Sequence, residues 1–295
     1  MSRRIRPRGF APWRPRPETL EFLTRIQAVL DEYRAYLPLS CRQVFYRLVG
    51  AHGYEKTEQA YARLCDVLNR ARRAGLIPFA AIRDDGTVLK MPDGWDGQDQ
   101  LVQALINAAT DFRLDRQDGQ PARLLFAVEA SGMVPQVERI AAEFGIPVHS
   151  SGGFDSLTAK HDLACMLSGW SDAEVLHIGD HDPSGVHVFT SLAEDVQALA
   201  HSTIRFTRLA VTPEQIASLR LATAPAKPTD RRTFTGETVQ AEAIPPDVLA
   251  GIVRTTIEER LDHDAFAGVL AEEDRVRTTL RAELVPMLTR FRTRQ

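Results

Sequence analysis

The sequence predicts an α/β protein with a basic, helical first third and a helical last third around a parallel sheet. Three observations lead there: amphipathic helical periodicity up to about residue 75, short apolar runs alternating with helical stretches from Leu124 to Ala210, and a helical pattern from Pro245 onward. The chain has 295 residues, 44% hydrophobic and 25% charged, a composition of folded globular proteins that excludes a fibrous rod or wholesale disorder. Its length suits two domains, or one domain with large appendages. No apolar run reaches the ~18 residues of a membrane span, and residues 1–17 lack the apolar stretch of a signal peptide. Cys41, Cys65 and Cys165 stand far apart with no CxxC pair, so the expectation is a reducing cytoplasm, with no disulfide framework and no zinc ribbon.

Charge is unevenly distributed behind a net value of −3. Residues 1–17 form a basic arm with six arginines, four prolines and no acid. Residues 37–90 hold nine Lys/Arg against five Asp/Glu, a net of +4, whereas residues 121–213 hold five against eleven, a net of −6. A basic first half facing an acidic second half suits a protein that binds a polyanion and uses a cation.

After the arm, Leu20, Leu23, Ile26, Leu30 and Tyr33 recur at helical spacing, giving a helix over 18–36 that Pro38 ends. Ser40 is placed to cap a second helix carrying Val44, Phe45, Leu48 and Val49, which breaks near Gly50 and Gly53. A third helix spans about 57–74, with the stripe Ala60, Tyr61, Leu64, Val67 and Leu68, and Gly75 as its stop. Arg63, Arg70, Arg72 and Arg73 lie off that stripe. The stretch Ile77 to Ile82, a turn at Asp84-Asp85-Gly86, and Thr87 to Met91 read as a β-hairpin. Helix, turn, basic helix and hairpin follow the order of a winged helix-turn-helix, whose second paired helix enters a DNA major groove. Residues 91–98 are turn-rich and read as a linker. A helix near 99–112 comes next, then strands at 124–128, 147–149, 174–178 and 204–210, separated by helices at 134–144, 156–167 and 185–200. Such short, continuous apolar strands are those of a parallel sheet covered on both faces. Thr212-Pro-Glu-Gln215 is a capping box that opens another helix.

The chemistry concentrates where two of these strands end. Glu129 follows Leu-Leu-Phe-Ala-Val, and Gly132 stands in the turn behind it. A second strand runs into Gly179-Asp180-His-Asp182-Pro-Ser-Gly185. In extended chain, residues i and i+2 share a face, so Asp180 and Asp182 can reach one cation. Ligands of open α/β sheets bind at the carboxyl ends of strands. Three carboxylates converging there repel one another unless a cation neutralises them, and hard oxygen donors in that number suit Mg²⁺, with Mn²⁺ able to substitute. Gly152-Gly153 leads into the helix that carries Lys160, which could hold phosphate at a helix N-terminus. There is no G-x-x-x-x-G-K-[ST] and no G-x-G-x-x-G after a strand, which argues against ATP hydrolysis and dinucleotide binding.

Glu129-x-x-Gly132 followed by Asp180-x-Asp182-x-x-Gly185 resembles the Toprim domain of topoisomerases, bacterial primases and some nucleases. The stretch Val128-Glu-Ala-Ser-Gly132, then Ser151-Gly-Gly-Phe-Asp-Ser156, then Gly179 to His187 is similar to the A subunit of type IIB topoisomerase (topoisomerase VI) and its meiotic double-strand-break relative. The resemblance covers about residues 37–215. It implies a winged helix-turn-helix followed by a Toprim-type parallel α/β sheet, with metal held by Glu129, Asp180 and Asp182. That branch breaks DNA with a tyrosine inside Arg-x-x-(Tyr/Phe)-Tyr. The matching stretch is Arg42-Gln-Val-Phe45-Tyr46, which makes Tyr46 the candidate nucleophile, Arg42 a candidate holder of the scissile phosphate and Glu129 a further catalytic group. The resemblance also implies double-stranded DNA as substrate, a homodimer, and a separate ATPase subunit for strand passage. If Tyr46 is only a core residue, the same acids can activate water, as in a hydrolytic Toprim nuclease; a catalytically inert DNA-binding protein is the remaining alternative. The expected organisation is an arm at 1–17, a winged helix at 18–98, the Toprim-like sheet at 99–215 and a helical C-terminal extension at 216–295. Arg63, Arg70, Arg72, Arg73 and Lys160 are the expected DNA contacts.

Overall fold

The computed structural model describes residues 10–83, 94–150, 157–225, 234 and 236–292. Helix α1 (Pro17–Glu32) starts at a proline, whose fixed φ suits the first helical turn, and buries Phe22, Leu23, Ile26, Val29 and Leu30 on one face. Strand β1 (Leu39–Ser40) leads into α2 (Cys41–His52). The expected cap is a full capping box: Ser40 Oγ accepts from the Gln43 N–H, and Gln43 Oε1 accepts from the Ser40 N–H. Helix α2 ends at Gly53, whose φ of 60° is left-handed and favours glycine. Helix α3 (Glu58–Arg73) is capped by Thr57 and buries the predicted stripe Ala60, Leu64, Val67 and Leu68.

The predicted hairpin needs correction. Ile77 is not in a strand; Pro78, with φ −61° and no N–H to donate, opens a 3₁₀ turn over Phe79–Ala81. Only β2 (Ile82–Arg83) is extended, and it pairs in parallel with β1. The turn at Asp84 to Gly86 and the run Thr87 to Met91 lie outside the described residues, as do residues 1–9 of the arm and the Ser151 to Ser156 loop.

Helix α4 (Gln98–Thr110) precedes a four-stranded sheet of β3 (Arg123–Val128), β4 (Val148–Ser150), β5 (Ala173–Ile178) and β6 (Ile204–Ala210). All neighbours are parallel, in the order β4-β3-β5-β6. Connecting the strands are α5 (Val134–Ala141), α6 (Leu157–Ser168) and α7 (Pro183–Leu199), and α8 (Pro213–Ser218) follows β6. Side chains alternate between the two faces, as strand geometry requires. Leu125, Ala127 and Val175 pack with Leu163, Leu167, Leu192 and Val196 of α6 and α7. Leu124, Phe126, Val128, Leu176 and Ile178 belong to a larger core that also holds Val137 and Ile140 of α5 and the buried faces of α1, α2 and α3. One continuous apolar core therefore joins the helical first third to the sheet.

The last third packs on the face that carries α5. Helix α9 (Pro246–Glu258) packs on α5, and α10 (His263–Arg292) packs along α4 rather than forming a free extension. Between α8 and α9, Val239 pairs with His181 through reciprocal backbone bonds of 2.8 and 3.0 Å. The buried turn Ala241–Ala243 then lies against α2, where the Ala243 carbonyl accepts from Arg47. Residues 238–243 thus form a strap across the carboxyl ends of the strands. Among the described residues no helix is long and apolar enough to cross a membrane.

Candidate active site

The strand order reverses between β3 and β5: the chain leaves β3 for β4 on one side and returns to β5 on the other. A crevice opens at such a switch point, and the three predicted acids stand on it. Glu129 directly follows β3; Asp180 and Asp182 follow β5. Glu129 Oε2 accepts from the Asp180 N–H at 3.0 Å. Asp182 is the N-cap of α7, its Oδ1 accepting from the Gly185 N–H at 2.6 Å. Asp180 Oδ1 accepts from the Ala241 N–H of the strap at 2.8 Å.

Two glycines make this convergence possible. A Cβ on Gly185 would stand 2.2 Å from the Asp180 carbonyl oxygen and 3.1 Å from Glu129 Oε2. One on Gly179 would stand 2.5 Å from Glu129 Oε2 and 2.4 Å from Cε1 of His177, a fully buried ring. The predicted spacing of acids and glycines therefore corresponds to close approach of Glu129, Asp180 and Asp182 around the Gly185 backbone.

Burial, followed by the charges of Asp180 and Asp182, pushes the Glu129 carboxyl up to about 7, against the Asp180 N–H and Arg208. Asp180 is raised for the same first reason, with Asp182 adding to it and the Ala241 N–H, Arg42 and Arg208 opposing. Arg208 of β6 braces the loop, its guanidinium donating to the carbonyls of Gly179, Asp180 and Gly185. Among the described residues, no group of three or more His, Cys, Asp or Glu is arranged as a ready metal cage. Each acid gives one oxygen to a backbone N–H. The site nevertheless fits a hard divalent cation in donor chemistry and in charge, since its three carboxylates are half-buried around one backbone turn and those of Glu129 and Asp180 are raised in pKa.

A cleft of about 590 Å³ leads to Glu129. Ser40, Arg42, Tyr61 and Arg72 wall it from the helical third, and Glu129, Ser131 and Glu242 from the other side. Arg42 lies 3.8 Å from Glu242, its side chain about half exposed. Tyr46, one turn further along α2, is buried, and its hydroxyl donates to Gln240 Oε1 of the strap at 2.6 Å. Burial and the charge of Asp180 push that phenol up to about 12, with Arg42 pulling the other way. In this arrangement Tyr46 is a packed residue with a satisfied hydroxyl.

The predicted DNA contacts divide. Arg72 lines the cleft with its guanidinium 5.7 Å from the centre of the Phe79 ring. Arg63 and Arg70 are exposed, the first over the Phe22 ring and the second paired with Asp66 at 3.1 Å; Arg73 donates to Asn69 at 2.8 Å. Lys160 must be corrected. Its ammonium is buried between α6 and α7, bonded to Ser191 Oγ at 2.7 Å and Asp195 at 2.5 Å, because its position faces the neighbouring helix rather than solvent.

Three residues escaped the sequence reading. Glu242 is 5% exposed and accepts from Ser40 Oγ at 2.8 Å. It and Gln240 sit in a stretch without periodicity, which carries no sign of their place. Arg208 left only an ambiguous sign, since β6 also carries Arg205 and Thr207. No protein-family model matches the chain, and no curated protein is similar to it.

Proposed function

We propose that this protein binds DNA in the cleft between its helical third and its sheet and cleaves phosphodiester bonds with a divalent cation held by Glu129, Asp180 and Asp182. The observation that carries this reading is the meeting of those acids around Gly185 at the switch point, at the head of a cleft walled by Arg42 and Arg72. The order of α1, α2 and α3 supports a helix-turn-helix unit, and the parallel order β4-β3-β5-β6 supports its being joined to a Toprim-type sheet.

Arg42 and Arg72 offer planar donors to the phosphate oxygens, fixing the phosphodiester above Glu129. Glu129 lines the cleft and is placed to take the proton of an attacking water. A Mg²⁺ ion at the three acids, when bound, supplies charge stabilisation on the non-bridging and leaving oxygens. Arg208 keeps the loop of Asp180 to Gly185 in register while this happens. Hydrolysis is the favoured chemistry, because Tyr46 is buried and bonded to Gln240. Tyr46 transesterification is the second reading, favoured by its position one turn from Arg42 and near enough to Asp180 for the two to interact electrostatically.

Supercoiled plasmid, Mg²⁺ and denaturant trapping separate these readings. Hydrolysis predicts nicked or linear DNA without attached protein, lost in Asp180→Asn and retained in Tyr46→Phe. Covalent adducts formed by the wild type and absent from Tyr46→Phe select transesterification. DNA binding by the wild type without any Mg²⁺-dependent cleavage overturns the enzymatic proposal. The homodimer and the separate ATPase subunit rest on the sequence resemblance alone, and sedimentation of the chain with and without DNA tests the first.

A further inference from the structure

We infer that Cys41 and Cys65 form an oxidisable dithiol in the wall of the cleft, a modification site that hydrogen peroxide converts into a disulfide tying α2 to α3. The two sulfurs lie 3.0 Å apart although the residues are 24 positions apart in sequence, and both cysteines are free. Cys41 is the first residue of α2, and Cys65 lies in the middle of α3. The contact therefore depends on how two rigid helices pack, and that packing already brings the side chains together. A disulfide needs about 2.05 Å between sulfurs, so closure requires a movement of roughly 1 Å, within the reach of small χ adjustments. Both cysteines line the open cleft, which admits a molecule as small as a peroxide. Cys165 lies exposed on α6 and serves as an internal comparison without a partner thiol.

The surroundings separate the roles of the two sulfurs. The contact with Cys41, together with Tyr61, Arg42 and Arg72, holds the Cys65 thiol down to about 6 against burial; Cys41 is pushed upward by the same contact and by burial. Cys65 is thus the attacking thiolate and Cys41 the resolving thiol. The Cys65 thiolate attacks one peroxide oxygen, the O–O bond breaks, and the departing hydroxide takes up a proton to leave as water. The resulting sulfenic acid on Cys65 is attacked by the Cys41 sulfur, which gives up its proton as the S–O bond breaks and a second water leaves. Two thiols are oxidised by two electrons, and one peroxide is reduced to two waters. Cys41 stands between Ser40, which holds Glu242, and Arg42, while Arg72 lies two turns beyond Cys65. The bond would fix both cleft-lining arginines on one covalently closed wall. This inference concerns the thiols themselves and does not depend on the proposed DNA cleavage.

The test uses the full chain, reduced, desalted and treated with stepwise hydrogen peroxide, followed by thiol counting under denaturing conditions and non-reducing peptide mass spectrometry. The expected result is a fall from three free thiols to one, with a single linked peptide pair containing Cys41 and Cys65, two hydrogens lighter than its parts and split by dithiothreitol. Cys65→Ser should form no such link, and Cys41→Ser should accumulate a sulfenic acid on Cys65 that dimedone captures. If Cys165 is oxidised while Cys41 and Cys65 both stay titratable, or if those two become separate sulfinic acids without a link, the inference is overturned.

Discussion

Strand β5 begins beside a buried carboxylate and ends beside half-buried ones, and their surroundings are opposite. Near its start, Glu174 is 6% exposed and faces Thr207 Oγ1 at 2.8 Å, Arg260 at 3.2 Å and Arg205 at 3.7 Å. Burial works against its charge, but Arg260, Thr207 and Arg205 more than offset it, and its carboxyl is held below the usual range. Glu273 of α10 is treated alike: it is 1% exposed, gripped by Arg116 at 2.7 and 3.0 Å and bonded to Arg277, and also held low. Beyond the other end of β5, Asp180 and the adjacent Glu129 receive backbone N–H groups, while Arg208 donates to carbonyl oxygens of the loop. Both are raised. An acid that serves the fold is given its cation by the chain. The rim acids instead keep raised carboxyls, a repulsion that the proposed cation would relieve.

Asp180→Asn tests this contrast with the largest expected effect. Mg²⁺-dependent cleavage should fall by about 100-fold or more, while the melting temperature stays level or rises, because one like charge beside Glu129 and Asp182 is gone. A cleavage rate within a fewfold of wild type would place the chemistry elsewhere. Gly185→Ala comes next: a methyl 2.2 Å from the Asp180 carbonyl forces the start of α7 away, costing up to about 3 kcal/mol and removing cleavage with it. Unchanged denaturant midpoints for this variant would refute the tight packing around Gly185. Glu273→Ala gives the converse pattern, losing roughly 2 kcal/mol of stability because Arg116 and Arg277 keep partial access to water, while cleavage by the folded protein is unchanged. Equal losses of stability and of specific activity would erase the distinction between the two sets of acids.

The smallest effect is on pH dependence. The folded protein binds the Glu129 proton more tightly than the unfolded chain, with a pKa of about 7 against 4.5. The stability this provides is fully present below pH 4.5 and is lost as pH rises through 7. In metal-free buffer, wild type should therefore lose melting temperature relative to Glu129→Gln between pH 4.5 and 7 and run parallel to it above. Glu174 and Glu273, held low, lean the other way and lose their contribution on acidification. Profiles that run parallel across the whole range would show that Glu129 is not desolvated.

The rim acids were legible because their information is local: Glu129 and the Asp180-x-Asp182 pair each follow a short apolar run, and Gly179 and Gly185 beside the pair have no room for a Cβ. The capping signals at Ser40 and Thr212 were legible for the same reason, and both are full capping boxes. What failed depends on distant partners. Helical periodicity cannot tell whether an ammonium one turn into α6 faces water or α7, so Lys160 was misread. Ser40 meets Glu242 across 202 positions, and only the path of the strap creates that contact. Cys41 and Cys65 looked unrelated because their meeting is set by how α2 and α3 cross. The strand expected over Ile77 to Ile82 failed because Pro78 outweighs the apolar pattern around it.

The strap gives the chain's final quarter an architectural role. It is fastened to Asp180 and His181 on one side and to Ser40, Tyr46 and Arg47 on the other, so it works as a keystone between two walls. A fragment stopping after α8 would keep every rim acid yet expose the Tyr46 hydroxyl, strip Asp180 of the Ala241 N–H and leave the underside of α2 bare to water. Deletion mapping on this protein would thus register the loss of a dispensable-looking tail as collapse of the crevice at the strand ends.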